Sequence, residues 1–193
     1  MAYVTVKQLK AYLDISSASD DDLLEDLIDR TQSIIEGYTH RVFQVASATA
    51  RYFDAIEDVE GVYLYLNDDL CTIDSVITDA DGVETALTED THYITDPRDK
   101  TPYHRLKMLS SHSYTWTYTT DPEMGIKVTG KWGYSASPSN KMIQMTLRMA
   151  AYFYRQKDAQ VFDTVAMPEA GVIMIPQGMP ADVKIYLDGL IRR

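Results

Sequence analysis

The chain has 193 residues, 45% of them hydrophobic, and a formal net charge of −11. That length fits one domain, or one domain with an elaboration, and the apolar fraction is enough for a real core. So acidic a chain is a poor general binder of phosphate backbones, because that affinity comes from cations that release counterions.

The first residues, "MAYVTVKQLKAYL", lack the basic start and apolar run of a secretion signal. No window approaches the roughly 18 uninterrupted apolar residues of a membrane span. A single cysteine, Cys71, rules out an internal disulfide framework and suits a reducing cytosol. It stands in a strand-like run and reads as a small buried hydrophobe.

In "VTVKQLKAYLDI", Val6, Leu9 and Leu13 fall near helical spacing and Thr5 is positioned as an N-cap, which predicts a short helix over 6–13. A second helix is expected over about 20–38, with Ser19 as its cap. Its apolar stripe is Leu23, Leu24, Leu27, Ile28, Thr31, Ile34, Ile35 and Tyr38. Asp20, Asp21 and Asp22 sit on its first turn, where the helix dipole favours negative charge. Consecutive carboxylates on a helix point in different directions, so a metal site is the weaker reading of this triplet.

From Val42 to Trp132 the pattern changes to runs rich in Val, Ile, Tyr and Thr between turn clusters. Strands are expected near 42–53, 62–66, 72–78, 83–87, 91–95, 105–109, 113–118 and 125–132. "LNDDL", "TDPRDKTP" and "TTDPEMG" read as turns. "TDADGVET" reads as a hairpin in which Asp81-Gly82 supplies the positive φ angles. Its spacing does not fit a calcium loop, because the glycine comes too early and no acid follows at the closing position. Short strands at this spacing mean an antiparallel sheet or barrel.

A long helix is expected near 138–157, with Ser137 as N-cap and Pro138 at its first position. Lys141, Gln144, Arg148 and Arg155 form a narrow polar stripe on it, and Met142, Ile143, Thr146, Leu147, Met149, Ala150, Phe153 and Tyr154 cover the rest. A stripe so narrow predicts packing on two or more sides. Residues 159–180 fit no period, yet they carry many large apolar side chains, which suits a docking strand or arm better than disorder. A last helix opens at Pro180, with Asp182 on its first turn, Val183, Tyr186, Leu187 and Leu190 as apolar positions, and Arg192 and Arg193 at its C-terminal end.

Charge is uneven along the chain: residues 1–60 carry a net −7, 61–125 a net −8 and 126–193 a net +4. Either this is the incidental spread of a soluble acidic chain, or the molecule has two faces of opposite sign suited to packing against copies of itself.

No catalytic constellation emerges. His40, His92, His104 and His112 form no helical metal pair and none stands beside the cysteine. "GKWG" lacks the Lys-Ser/Thr that closes a phosphate loop, and no G-x-S-x-G elbow occurs. The sequence therefore points to no enzyme, no cofactor and no metal.

The series "VTVKQLKAYLDI", "DDDLLEDLIDRTQSIIEGYTHRVF", "LYLNDDLCTIDSVITDADGVETALTEDTHYIT" and "IKVTGKWGYSASPSNKMIQMTLRMAAYFYRQKD" resembles the head–tail connector (adaptor, head-completion) proteins of tailed bacteriophages, in particular longer members with a β insertion. The specificity is in the series, which spans most of residues 3–158. Where similar sequences often carry glycine after the Tyr-Thr pair that ends the second helix, this chain has His40. Histidine is somewhat enriched in the left-handed conformation needed there, so either His40 stops the helix at some cost or Gly37 ends it earlier.

The resemblance implies an α+β fold: a small helical bundle made from 1–41 and 135–193, with an antiparallel β region, 42–134, inserted in one connector domain. It implies a virion protein of the neck, assembled in the host cytoplasm. Such proteins form a homo-oligomeric ring, commonly of twelve copies, between the portal protein and a stopper or tail-completion protein. DNA passes through without sequence-specific binding. Another neck or tail component (stopper, tail-completion or tail-tube protein) is the alternative. On this reading the candidate subunit or portal interface is Val161, Phe162, Val165, Met167, Val172, Ile173, Met174 and Ile175 of the apolar arm, with Arg192 and Arg193.

Overall fold

The computed structural model describes residues 2–159, 165–167, 172–174 and 178–192. In chain order the elements are α1 (Val6–Leu13), α2 (Asp21–Thr39), β1 (Thr49–Phe53), β2 (Val59–Glu60), β3 (Tyr63–Thr78), β4 (Thr85–Leu87), β5 (Tyr93–Asp96), β6 (Tyr103–Met108), a 3-10 turn (Pro122–Met124), β7 (Ile126–Trp132), α3 (Asn140–Ala159), β8 (Val165–Met167), β9 (Val172–Met174) and α4 (Ala181–Asp188). The fold is α+β, as expected, with four helices and a seven-stranded antiparallel sheet. The chain divides into two compact units, Val42–Ser137 and Ala2–Arg41 with Pro138–Arg193.

In the helical unit, α2 and α3 form the main pair, α1 packs on both and α4 touches both. The start of α1 follows the sequence signal: Thr5 accepts from the Gln8 amide and Gln8 accepts from the Thr5 amide, a reciprocal capping box. The expected cap of α2 does not form. Asp20 takes the N-cap position without a side-chain cap bond, and Ser19 instead bonds locally to Ser17 and Asp20. The helix ends at His40, which has φ 54° and ψ 35°. Histidine therefore occupies the left-handed stop that glycine would fill without a Cβ clash. α3 starts later than expected, because Ser139, not Ser137, caps it by accepting from the Met142 amide at 3.2 Å.

The polar stripe of α3 is exposed at Lys141, Gln144, Arg148 and Arg155, whereas Met142, Leu147, Met149 and Ala150 are buried. Leu9, Leu24, Ile35, Met142, Met149 and Leu187 are fully buried and make this unit's core. Each such aliphatic side chain contributes about 1.5–3 kcal/mol by leaving water. Thr39 and Thr146 are buried within it because each hydroxyl donates back to a carbonyl one turn earlier, Ile35 and Met142 respectively.

The β unit is organised on β3, a 16-residue strand. Leu70 shows its central role: it pairs with Tyr103 of β6 on one edge and Trp132 of β7 on the other. β1 lies outside β7 and β5 outside β6. Two strands were expected here, with "LNDDL" as a turn. The chain instead runs straight through, with register shifts around this stretch. The polar groups that suggest a turn find partners elsewhere in the unit: Asp68 accepts from Arg51 of β1 at 3.0 Å and Asn67 donates to Asp58, just before β2, at 3.1 Å.

The 113–118 segment forms no ladder. Trp116 is buried and donates to the carbonyl of Val62, just before β3, at 3.1 Å, and the Thr117 amide donates to Oγ1 of Thr78, the last residue of β3, at 2.8 Å. In the 79–82 turn the positive φ is at Asp79 (56°), not at Asp81-Gly82. Gly82 is needed for space: a Cβ there would lie 2.1 Å from Thr119 Oγ1. Cys71 is buried and donates to the Lys131 carbonyl at 3.3 Å; burial raises its thiol pKa.

Candidate assembly interface

The arm expected at 159–180 contains a hairpin. β8 and β9 pair antiparallel, Val165 with Met174, Ala166 with Ile173 and Met167 with Val172. Five candidate residues, Val165, Met167, Val172, Ile173 and Met174, therefore share one two-stranded ladder. Val161, Phe162, Ile175 and Arg193 lie outside the described residues. The Arg192 amide donates to the Thr39 carbonyl at 3.0 Å, which satisfies a terminal acceptor of α2 and ties down the C-terminal segment. Arg192 thus sits at the α2 terminus, on a separate element from the hairpin ladder.

The helices on either side of the arm are held by polar contacts in their own unit. Near the end of α3, Tyr154 donates to Asp20 Oδ2 at 2.5 Å and Lys157 donates to the same oxygen at 2.9 Å. The Tyr154 bond, then the Lys157 bond, lowers the Asp20 pKa; Asp20 in turn raises both partners. On the far side of the arm, Arg148 of α3 pairs with Asp182 on the first turn of α4 at 2.7 Å. Asp188 at the end of α4 accepts from Tyr38 and pairs with Lys184 at 3.1 Å. The Tyr38 bond, then the Lys184 bond, lowers its pKa.

The aspartate triplet is more than a solvated helix start. Asp20 clamps α3, and Asp21 pairs with Lys10 of α1 at 2.7 Å. Sequence reasoning missed the clamp because Asp20 and Tyr154 are 134 positions apart and neither stands in a local motif. Among the described residues, no group of three or more His, Cys, Asp or Glu side chains is placed to hold a metal ion. No described helix is long and apolar enough to cross a membrane.

These features define a class: a helical unit with a paired-strand arm between its last two helices, and an acidic antiparallel β unit carried between α2 and α3. Solved structures share this fold. A chain in the neck of an empty GTA particle, computed with C6 symmetry, aligns over 98% of this chain and 89% of its own length, with a TM-score of 0.58 and 17% identity. A chain in the virion of a native gene transfer agent particle aligns over the same shares, with a TM-score of 0.54 and 17% identity. Residues 3–95 match the family described as Phage gp6-like head-tail connector protein. Over those residues the chain carries the connector family's sequence signature, in agreement with the resemblance read from the sequence. No curated protein matches the chain.

Proposed function

We propose that the protein is a structural component of a phage-type neck, a ring of identical subunits at the head–tail interface. The observation that carries this reading is the match of residues 3–95 to the head–tail connector family. The fold shared with a chain of a GTA neck supports it. Twelve copies is the ring size the family resemblance implies, and twelve is compatible with the C6 symmetry of that neck. The ring joins a portal to a stopper or tail and prolongs the DNA channel; its role is structural. The strong negative charge suits such a channel, since phosphates find few cations to hold them.

In this reading the β8–β9 hairpin and its flanking residues dock on a neighbouring subunit or the portal. Deleting residues 161–175 tests it, with electron microscopy of the protein alone and mixed with its portal. The expected product is a folded monomer that no longer assembles. Unfolding of that variant would make the arm part of the subunit core. A full-length protein that stays monomeric both alone and with its portal would overturn the ring.

A further inference from the structure

The tip of the β unit, where three loops meet, is cross-linked by hydrogen bonds, apolar and acidic. Ala55 donates to the Pro122 carbonyl at 2.8 Å and Ala80 to the Gly125 carbonyl at 2.9 Å. One Asp81 carboxylate accepts the amides of Thr119, Thr120 and Asp121. Asp79 accepts from the Thr119 hydroxyl at 2.6 Å, and Asp54 from the amides of Ile56 and Glu57. These carboxylates are held by neutral amides and hydroxyls, so their charge is fixed in place but not cancelled.

On this scaffold large apolar side chains face water: Val83 is 78% exposed, Ile56 58%, and Met124 and Tyr52 47% each. Exposed Glu57 and Glu123 flank them. Lys127, opposite Tyr52 in the ladder, is already paired with Glu84 at 2.6 Å. Apolar residues gathered on a preformed surface rimmed by like charges mark a contact site for something cationic.

α3 offers the complementary surface. Lys141, Arg148 and Arg155 recur every seven residues, which places them in one line along the helix. All three are exposed, and half-buried Met145 and Tyr152 adjoin the line. Lys141 lies over the Tyr186 ring at 4.4 Å, and Arg148 pairs with Asp182 at 2.7 Å, so Lys141 and Arg155 carry most of the line's positive character.

We infer that the acidic apolar tip of one subunit docks on the Lys141–Arg148–Arg155 line of α3 in a second copy of this chain. Such a contact is heterologous, because the two patches differ, and a heterologous contact whose rotation divides a full turn closes a ring. This inference rests on the ring reading and adds the pair of surfaces that drives it.

The test measures the assembly of the full chain by light scattering across concentration and salt, with circular dichroism to confirm folding. Wild type is expected to assemble, and to dissociate as salt rises toward 1 M, where the screening length falls to about 3 Å. E57K/E123K and R155E are each expected to weaken assembly about tenfold or more. Mixing the two variants, which restores opposite charges at half the contacts, is expected to recover part of it. I56S/M124S weakens assembly without changing its salt dependence. If wild type assembles and the charge variants assemble equally well, this contact is wrong and the ring reading stands. Charge variants that still assemble but no longer bind the portal would assign the tip to that partner instead. A wild type that remains monomeric alone takes down this contact, and one that stays monomeric with its portal as well takes down the ring reading too.

Discussion

Tyr154 and Asp20 meet at 2.5 Å although 134 positions separate them in the chain, and their bond fastens the end of α3 to the start of α2. Lys157 joins the same carboxylate. This clamp holds the last helical turns before the arm, so its loss is expected to release the arm's root before it disturbs the core.

Asp20→Asn and Tyr154→Phe are each expected to lower the melting temperature modestly and to speed hydrogen exchange in the last turn of α3. The sign with pH is fixed by direction. Asp20 has a lowered pKa in the fold, so its contribution is present above the ordinary carboxylate range and fades as pH falls through its folded value. The gap in melting temperature between wild type and Asp20→Asn should therefore close in acid. A gap that persists unchanged at pH 2 would show that the clamp acts by shape alone.

Asp81 gives a second pH-dependent prediction. Three backbone amides, those of Thr119 and Thr120 foremost, bring its pKa down from 3.8 to about 2. The tie between the 79–82 turn and the 119–121 segment is then complete above about pH 4. It is lost as pH falls through about 2. A carboxyl-detected NMR titration should place the Asp81 midpoint near 2, and in Asp81→Asn the amides of 119–121 should exchange faster at neutral pH.

The β3–β7 contact leaves no room at Gly130. A Cβ there would lie 2.1 Å from the Thr72 carbonyl oxygen and 3.0 Å from Leu70 Cδ1. Backbone cannot swing aside as a flexible side chain would, so Gly130→Ala is expected to destabilise by about 1–3 kcal/mol in urea unfolding. Gly37→Ala meets nothing within 4 Å and should be neutral or slightly stabilising.

His40 ends α2 at φ 54°. A non-glycine residue held there carries strain that glycine avoids, partly offset by glycine's larger freedom when unfolded. His40→Gly is expected to raise stability by about 0.5–1 kcal/mol, and His40→Val to lower it, both read by thermal melts.

The helices were legible because their signals are local. Thr5 and Gln8 form the cap that their spacing implies, and the polar line on α3 is the exposed one. The end of α2 was readable only as a choice between His40 and Gly37, and the structure takes His40. The β unit was legible as strands but not as a layout. "LNDDL" carries turn residues, yet Arg51 and Asp58, distant in sequence, supply the bonds that let it run as strand. "SYTWTY" alternates like a strand, yet the Trp116 side chain bonds the Val62 carbonyl and the Thr117 amide bonds the Thr78 hydroxyl in place of a ladder. The arm's apolar content was visible, and so were Pro168 and Gly171 between its two strands, but the residue-by-residue register, Val165 with Met174 among it, is not fixed by any local motif.

At the base of the β unit, the Tyr134 amide donates to the Val42 carbonyl at 2.7 Å and the Ser135 hydroxyl to the Phe43 carbonyl at 2.9 Å. The outgoing and returning strands of chain are thus clasped like the neck of a drawstring bag. The ninety-odd residues from Val42 to Ser137 form one compact unit, closed by these two bonds. An insertion closed at its own neck keeps its two ends together whatever its length, so it can be lengthened or trimmed without moving the points where the chain leaves and returns.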